Sequence, residues 1–85
     1  MGINQISQNL RHFLWIKRDD IPLDCEVYYR KHNPKEFQTY PSLQLKYIVN
    51  ENFKSYKLCA SFMNVSICVL ARGTIIFVVP ETQAY

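Results

Sequence analysis

The stretch NVSICVLARGTIIFVVPE, residues 64–81, is the most apolar part of the chain, and Arg72 and Gly73 break its middle. How it is read decides the fold. A membrane-spanning helix needs about 20 apolar residues, and about 17 is the lower limit. The run from Val65 to Val79 falls short of that, and Arg72 would sit near the bilayer centre at a cost of about 2.5–3.5 kcal/mol. Val, Ile and Thr dominate the run; these β-branched side chains are stiff in helices and fit a pleated surface. Gly73 can supply the positive φ of a tight turn. The residues predict a β-hairpin, Val65–Ala71 then Thr74–Val79, turning at Arg72-Gly73 and ended by Pro80, and no membrane span.

That hairpin is apolar on both faces. Ile75, Phe77 and Val79 oppose Ile76 and Val78, and Cys68 and Leu70 extend the second face. A strand apolar on both sides must be covered on both sides. One helix covers one face. Barrel closure, the C-terminal tail, or self-association through the Val65–Val79 hairpin is expected to cover the other.

Upstream, Tyr56, Leu58, Ala60 and Phe62 alternate with Lys57, Cys59 and Ser61, and Leu43, Leu45, Tyr47 and Val49 alternate with Gln44, Lys46 and Ile48. Both runs predict half-buried strands, with turns at Asn50-Glu51-Asn52 and Met63-Asn64. Ile3, Ile6, Leu10, Phe13 and Leu14 share one helical face, which predicts an amphipathic helix over residues 3–15. KRDDIPLD reads as a loop, and Cys25–Lys31, with Val27 and two tyrosines, reads as a strand. Residues 32–42 carry two prolines and no clear period, and read as a long loop. The expected fold is a single α+β domain, residues 1–85. Its N-terminal helix packs on an antiparallel sheet of about five strands, and a small closed barrel is the variant form. The outer face would carry Glu26, Tyr28, Arg30, Gln44, Lys46, Lys57 and Ser61.

Composition is globular, with 48% hydrophobic residues, and the net charge of +3 is mild beside that of strongly basic nucleic-acid packaging chains. Residues with AT-rich codons (Ile, Asn, Lys, Phe, Tyr, Met) far outnumber those with GC-rich codons (Gly, Ala, Arg, Pro), a usage that suits a phage or mobile-element gene. Three cysteines, Cys25, Cys59 and Cys68, show neither paired nor metal-site spacing. They are expected to be free, semi-buried thiols in a cytoplasmic, reducing compartment. No secretory leader is read at the N-terminus.

No catalytic, metal or cofactor site is expected: His12 and His32 lie far apart, and the only glycines are Gly2 and Gly73, too few for a phosphate loop. Two binding classes remain. Tyr28, Arg30, Lys46, Lys57 and Arg72 interleave aromatic and basic side chains, the composition of a single-strand nucleic-acid groove. Trp15, with Gln8 and Arg11 on the same side of the helical wheel and away from Ile6, Leu10 and Phe13, has the composition of a protein-binding hot spot.

The order helix, proline loop, strands, ending in RGTIIFVVP (Arg72–Pro80), resembles the Sm and Hfq family of RNA-binding small barrels. The resemblance implies a closed barrel and RNA binding. The family's strand-bending glycine and its Asp-plus-Asn base-binding loop have no counterpart in this chain. The favoured expectation is a non-enzymatic protein that docks on a partner, most of all a protein, and modulates or inhibits it. An RNA- or DNA-binding sheet protein is the alternative.

Overall fold

The computed structural model describes residues 2–50 and 54–81. Among them lie helices α1 (Gly2–Lys17), α2 (Cys25–His32) and α3 (Pro34–Thr39), followed by strands β1 (Gln44–Val49), β2 (Ser55–Phe62), β3 (Val65–Arg72) and β4 (Ile75–Pro80). The strands pair antiparallel in sequence order, β1-β2-β3-β4, as an open sheet with β1 and β4 at its edges. The architecture is α+β, as expected, but the sheet has four strands rather than five and does not close into a barrel. No helix among the described residues is long and apolar enough to cross a membrane.

Two short turns fix the register. Phe62 pairs with Val65 around Met63 and Asn64, both at positive φ (49° and 65°), as a type I′ hairpin requires. Arg72 pairs with Ile75, so the second turn is Gly73-Thr74, one residue later than expected, with Gly73 at φ 60°. In the β1–β2 connection Asn50 Oδ1 accepts the Lys54 amide (3.0 Å), while Glu51 and Asn52 of the expected turn lie outside the described residues.

The expected strand at 25–31 is a helix, because local end chemistry outweighs the β propensity of Val27, Tyr28 and Tyr29. Asp24 caps the first turn through the Val27 amide (3.3 Å). Glu26 stands at the positive end of the helix dipole, Arg30, Lys31 and His32 at the negative end, and Glu26 pairs with Arg30 at 3.3 Å. Cys25 and Tyr29, one turn apart, face the core while Val27 stays exposed. The expected 32–42 loop likewise contains α3: Pro34 occupies the first turn after Asn33, where its missing N–H costs nothing, and Phe37 is buried.

All three helices lie on one face of the sheet. From α1, Ile6, Leu10, Phe13 and Leu14 pack with Leu58, Ala60, Val69 and Ala71 of β2 and β3; from the α2–α3 side come Cys25, Tyr29 and Phe37, with Leu43 leading into β1. The side chain of Ile3, placed on the same face by the sequence, lies outside the described residues. Phe13 meets Tyr29 edge-on at 4.9 Å, and Tyr29 meets Phe37 at 5.7 Å, which ties the helices to each other.

On the opposite face a smaller cluster, Cys59, Cys68, Leu70 and Val79, is buried. Cys59 and Cys68 form a disulfide (S–S 2.07 Å), which corrects the expectation of three free thiols; only Cys25 is free, and it is buried. The inference of a reducing compartment rested on those thiols and loses its premise. Coverage of β4 is uneven: Val79 is buried, but Ile75, Phe77 and Val78 keep 58, 41 and 43% of their surface exposed. The two-sided covering expected of this strand is therefore absent within the described residues.

Burial sets the expected ranking of truncations. Leu10→Ala should cost about 2–5 kcal/mol, the range for buried Leu, whereas Phe77→Ala should cost less than about 2 kcal/mol in the free chain because much of its ring is already in water. Urea melts of the two variants check the order. Reducing the disulfide removes a constraint on a short hairpin loop, with an expected loss of about 2–3 kcal/mol, measured by unfolding with and without reductant.

Candidate functional site

The surface that converges most residues of binding character lies where the end of α1 meets the β3–β4 turn. Gln8, Arg11 and Trp15 are exposed along one line of α1, opposite its buried face. The helix runs on to Lys17, so Trp15 stays on that line, with 51% of its surface exposed. Arg18 places its guanidinium 5.6 Å from the Trp15 ring centre and 6.0 Å from that of Tyr56, within cation–π range. Its Nη1 donates to the Gly73 carbonyl at 2.6 Å, and its own carbonyl accepts from the Tyr47 hydroxyl at 3.0 Å. Tyr47 and Tyr56 stack at 6.1 Å. Ile16 adds a second half-exposed apolar side chain.

Arg18 is the residue that reasoning from sequence missed. It sits in a charged loop three residues after Trp15, and its other contacts, with Gly73, Tyr56 and Tyr47, come from residues distant in sequence. Arg11 was expected to be the cation beside the indole, but Arg18 is the one observed there.

The residues read as a nucleic-acid groove are divided between two layers. Tyr28 and Arg30 belong to α2; Tyr28 packs on Phe13 (5.8 Å) and His32 (4.3 Å), and Arg30 pairs with Glu26 and lies 4.9 Å from the Phe37 ring centre. Lys46, Lys57 and Arg72 point to the opposite face of the sheet. There Lys46 pairs with Glu81 at 3.3 Å, and Lys57, only 6% exposed, donates to the Glu81 carbonyl at 3.2 Å. Hydrogen bonds from Ser66 and from Lys46 hold Glu81 below the usual carboxylate range. Tyr28 and Arg30 therefore do not share the outer face with the lysines, as the strand reading required.

Two further groups carry chemistry. His12 and His32, far apart in sequence, line one small cleft with Phe13, Ile16, Lys17 and Asn33. Among the described residues, no three His, Cys, Asp or Glu side chains gather as a metal site. Burial pushes the Cys25 thiol up to about 11, aided by the charges of Asp24 and Glu26, so the thiolate is scarce at neutral pH.

Glu36 is the more unusual group. It is 8% exposed; its Oε2 accepts from Asn9 Nδ2 at 2.7 Å, while its Oε1 and the nearby Tyr29 hydroxyl are both buried without a partner. Such an orphaned polar atom costs about 1–3 kcal/mol. Burial raises the Glu36 carboxyl above its ordinary value, against the opposing effect of the Asn9 bond, and burial with the charge of Glu36 raises the Tyr29 phenol.

Comparison with protein-family models, with curated proteins and with solved structures returns no match.

The raised Glu36 carboxyl predicts a pH effect of definite sign. Its proton is held more tightly in the folded chain than in the unfolded one. The stability this contributes is complete below the unfolded value of about 4.3 and is lost as pH rises through the raised folded value. Glu36→Gln keeps an acceptor for Asn9 and removes the titration. Urea melts between about pH 4 and about pH 8 should therefore show the wild type losing stability relative to the variant as pH rises.

Proposed function

We propose that the protein is a docking module that binds another protein through the Trp15 surface and modulates or inhibits that partner by occupying it. The observation that carries this reading is the indole itself: half-exposed, yet held on one side by Arg18, which is anchored in turn to the Gly73 carbonyl. An aromatic ring already fixed in place loses little entropy on binding, and Trp and Arg dominate interface hot spots. Ile16, half-exposed and next to Trp15 in the chain, adds apolar area, whereas the exposed Ile75 and Phe77 of β4 lie on the opposite face of the sheet.

Residue usage suits an accessory protein of a phage or mobile element, for which occupation of a host protein's surface is the corresponding mode of action. A nucleic-acid role is less well supported, because the basic residues proposed for it lie in two layers and Lys46 and Lys57 are engaged by Glu81.

The test separates stability from recognition. Trp15→Ala should cost less than about 1 kcal/mol of stability, as surface changes usually do. Binding to a captured partner should weaken by about 2 kcal/mol or more, as at a hot spot. Parallel pull-downs with wild type and variant, each with and without nuclease, report both points. Partners lost on nuclease treatment, or retained equally by Trp15→Ala, would contradict the proposal.

A further inference from the structure

The two edges of the open sheet differ in how they meet water. Edge strands are ordinarily guarded against pairing by charged side chains, bulges or a covering element. On β1, Gln44 and Lys46 stand exposed in alternation. On β4 there is no such guard: from Gly73 to Pro80 the chain carries no charge, and Ile75, Phe77 and Val78 are exposed. Its register with β3 runs from Ile75 to Pro80 without a bulge. Beyond Pro80, Glu81 turns onto the outer face toward Lys57 and Lys46, away from the edge.

One hydrogen bond fixes where the free backbone groups of β4 point. The Gly73 amide donates to the Lys54 carbonyl (3.5 Å), so Gly73 and the odd-numbered residues of β3 bond to β2, and the even-numbered ones bond to β4. Leu70 and Arg72 therefore exchange bonds with Phe77 and Ile75. The amides and carbonyls of Ile76 and Val78, between them, face away from the sheet, where no strand lies among the described residues.

We infer that this edge pairs antiparallel with β4 of a second copy of the chain, across a two-fold axis at Phe77. The axis position follows from the sequence. At Val78 it would set Pro80, which has no N–H, opposite Ile76; at Ile76 it would set the polar Thr74 opposite Val78. At Phe77, Ile76 meets the partner's Val78, and each such pair can exchange both of its main-chain hydrogen bonds. Side chains then match on both faces of the strand. Ile75 meets the partner's Val79 and Phe77 meets the partner's Phe77 on the outer face, while Ile76 and the partner's Val78 meet on the helical face. The strand is its own complement, which selects a second copy over an unrelated strand. One short strand buries less than the about 1,200 Å² of a standard interface, so the dimer is weak and forms with rising concentration.

The test follows the wild-type chain from about 10 µM to about 1 mM by sedimentation equilibrium and by amide hydrogen exchange. Mass should rise toward that of two chains. Over the same range the Ile76 and Val78 amides should pass from fast to slow exchange, while those of Ile75, Phe77 and Val79, which face β3, stay slow throughout. Phe77→Lys and Phe77→Glu should each weaken association by about tenfold or more, because like charges then meet at the axis. An equimolar mixture of the two variants should restore it, since Lys then faces Glu. A wild-type mass of one chain throughout overturns the proposal, as does growth beyond two chains. Slow exchange of Ile76 and Val78 at every concentration also overturns it, assigning the edge to a segment of the chain itself. So does a dimer in which these amides stay fast, or one that neither charged variant weakens. The wild-type measurements need no variant and stand whether or not the substituted chains fold.

Discussion

The pairing of β2 with β3 is the constraint from which the rest of the molecule follows. Side chains alternate faces along a strand, so a slip of one residue would exchange the two faces of the sheet. The Met63-Asn64 turn prevents that slip. With Phe62 opposite Val65, Leu58 meets Val69 on the face covered by α1, and Cys59 meets Cys68 on the other. The same pairing puts Ala60 and Ala71 on the α1 face, where small side chains let the helix approach closely. It also places Leu70 beside the disulfide, completing the small cluster on the far face with Val79 of β4.

This register was legible in the sequence, and its consequence for the cysteines was too. Cys59 stands as far before the turn pair as Cys68 stands after it, so the predicted hairpin already placed the two thiols opposite each other. Judging spacing by linear motifs alone hid that pairing. The helical layer was only half legible. In α1 the apolar period is unbroken, and the helix appears as expected. In α2 the signal lies at the ends rather than in the period: Asp24, then Glu26, then a basic last turn, with Cys25 and Tyr29 one turn apart. Tyrosine and valine are ordinary strand residues, and tertiary packing of Tyr29 between Phe13 and Phe37 overrides that preference. Two prolines make residues 32–42 read as a loop, although Pro34 at the first helical position is a starter.

The sheet is covered asymmetrically. The helices cover most of one face, leaving Val65 and Val78 half-exposed, while the other carries the disulfide cluster, the Ser61–Ser66 hydrogen bond and the Glu81 contacts to Lys46 and Lys57. Glu81 follows Pro80 directly, so it is the end of β4 that engages those two lysines on the outer face. The acidic side chain and its carbonyl thereby occupy basic groups that the sequence alone left available to a nucleic acid. Nothing short of the tertiary fold reveals this, because Lys46 and Glu81 come from opposite edge strands.

Helix α1 presents three different surroundings along its length. Its residues fall into three lines, each following the helical repeat. Ile6, Leu10 and Phe13 are buried in the core; Gln5, Asn9, His12 and Ile16 line the clefts toward α2 and α3; Gln8, Arg11 and Trp15 face solvent. The sequence showed the first line as apolar and merged the other two into one polar side, since hydropathy cannot distinguish a polar residue facing a cleft from one facing water. What separates them is α3. Its Glu36 takes the Asn9 amide, so one line of α1 becomes a wall while the next remains a free surface. The bond also fixes the helix that carries Trp15 against the α2–α3 layer.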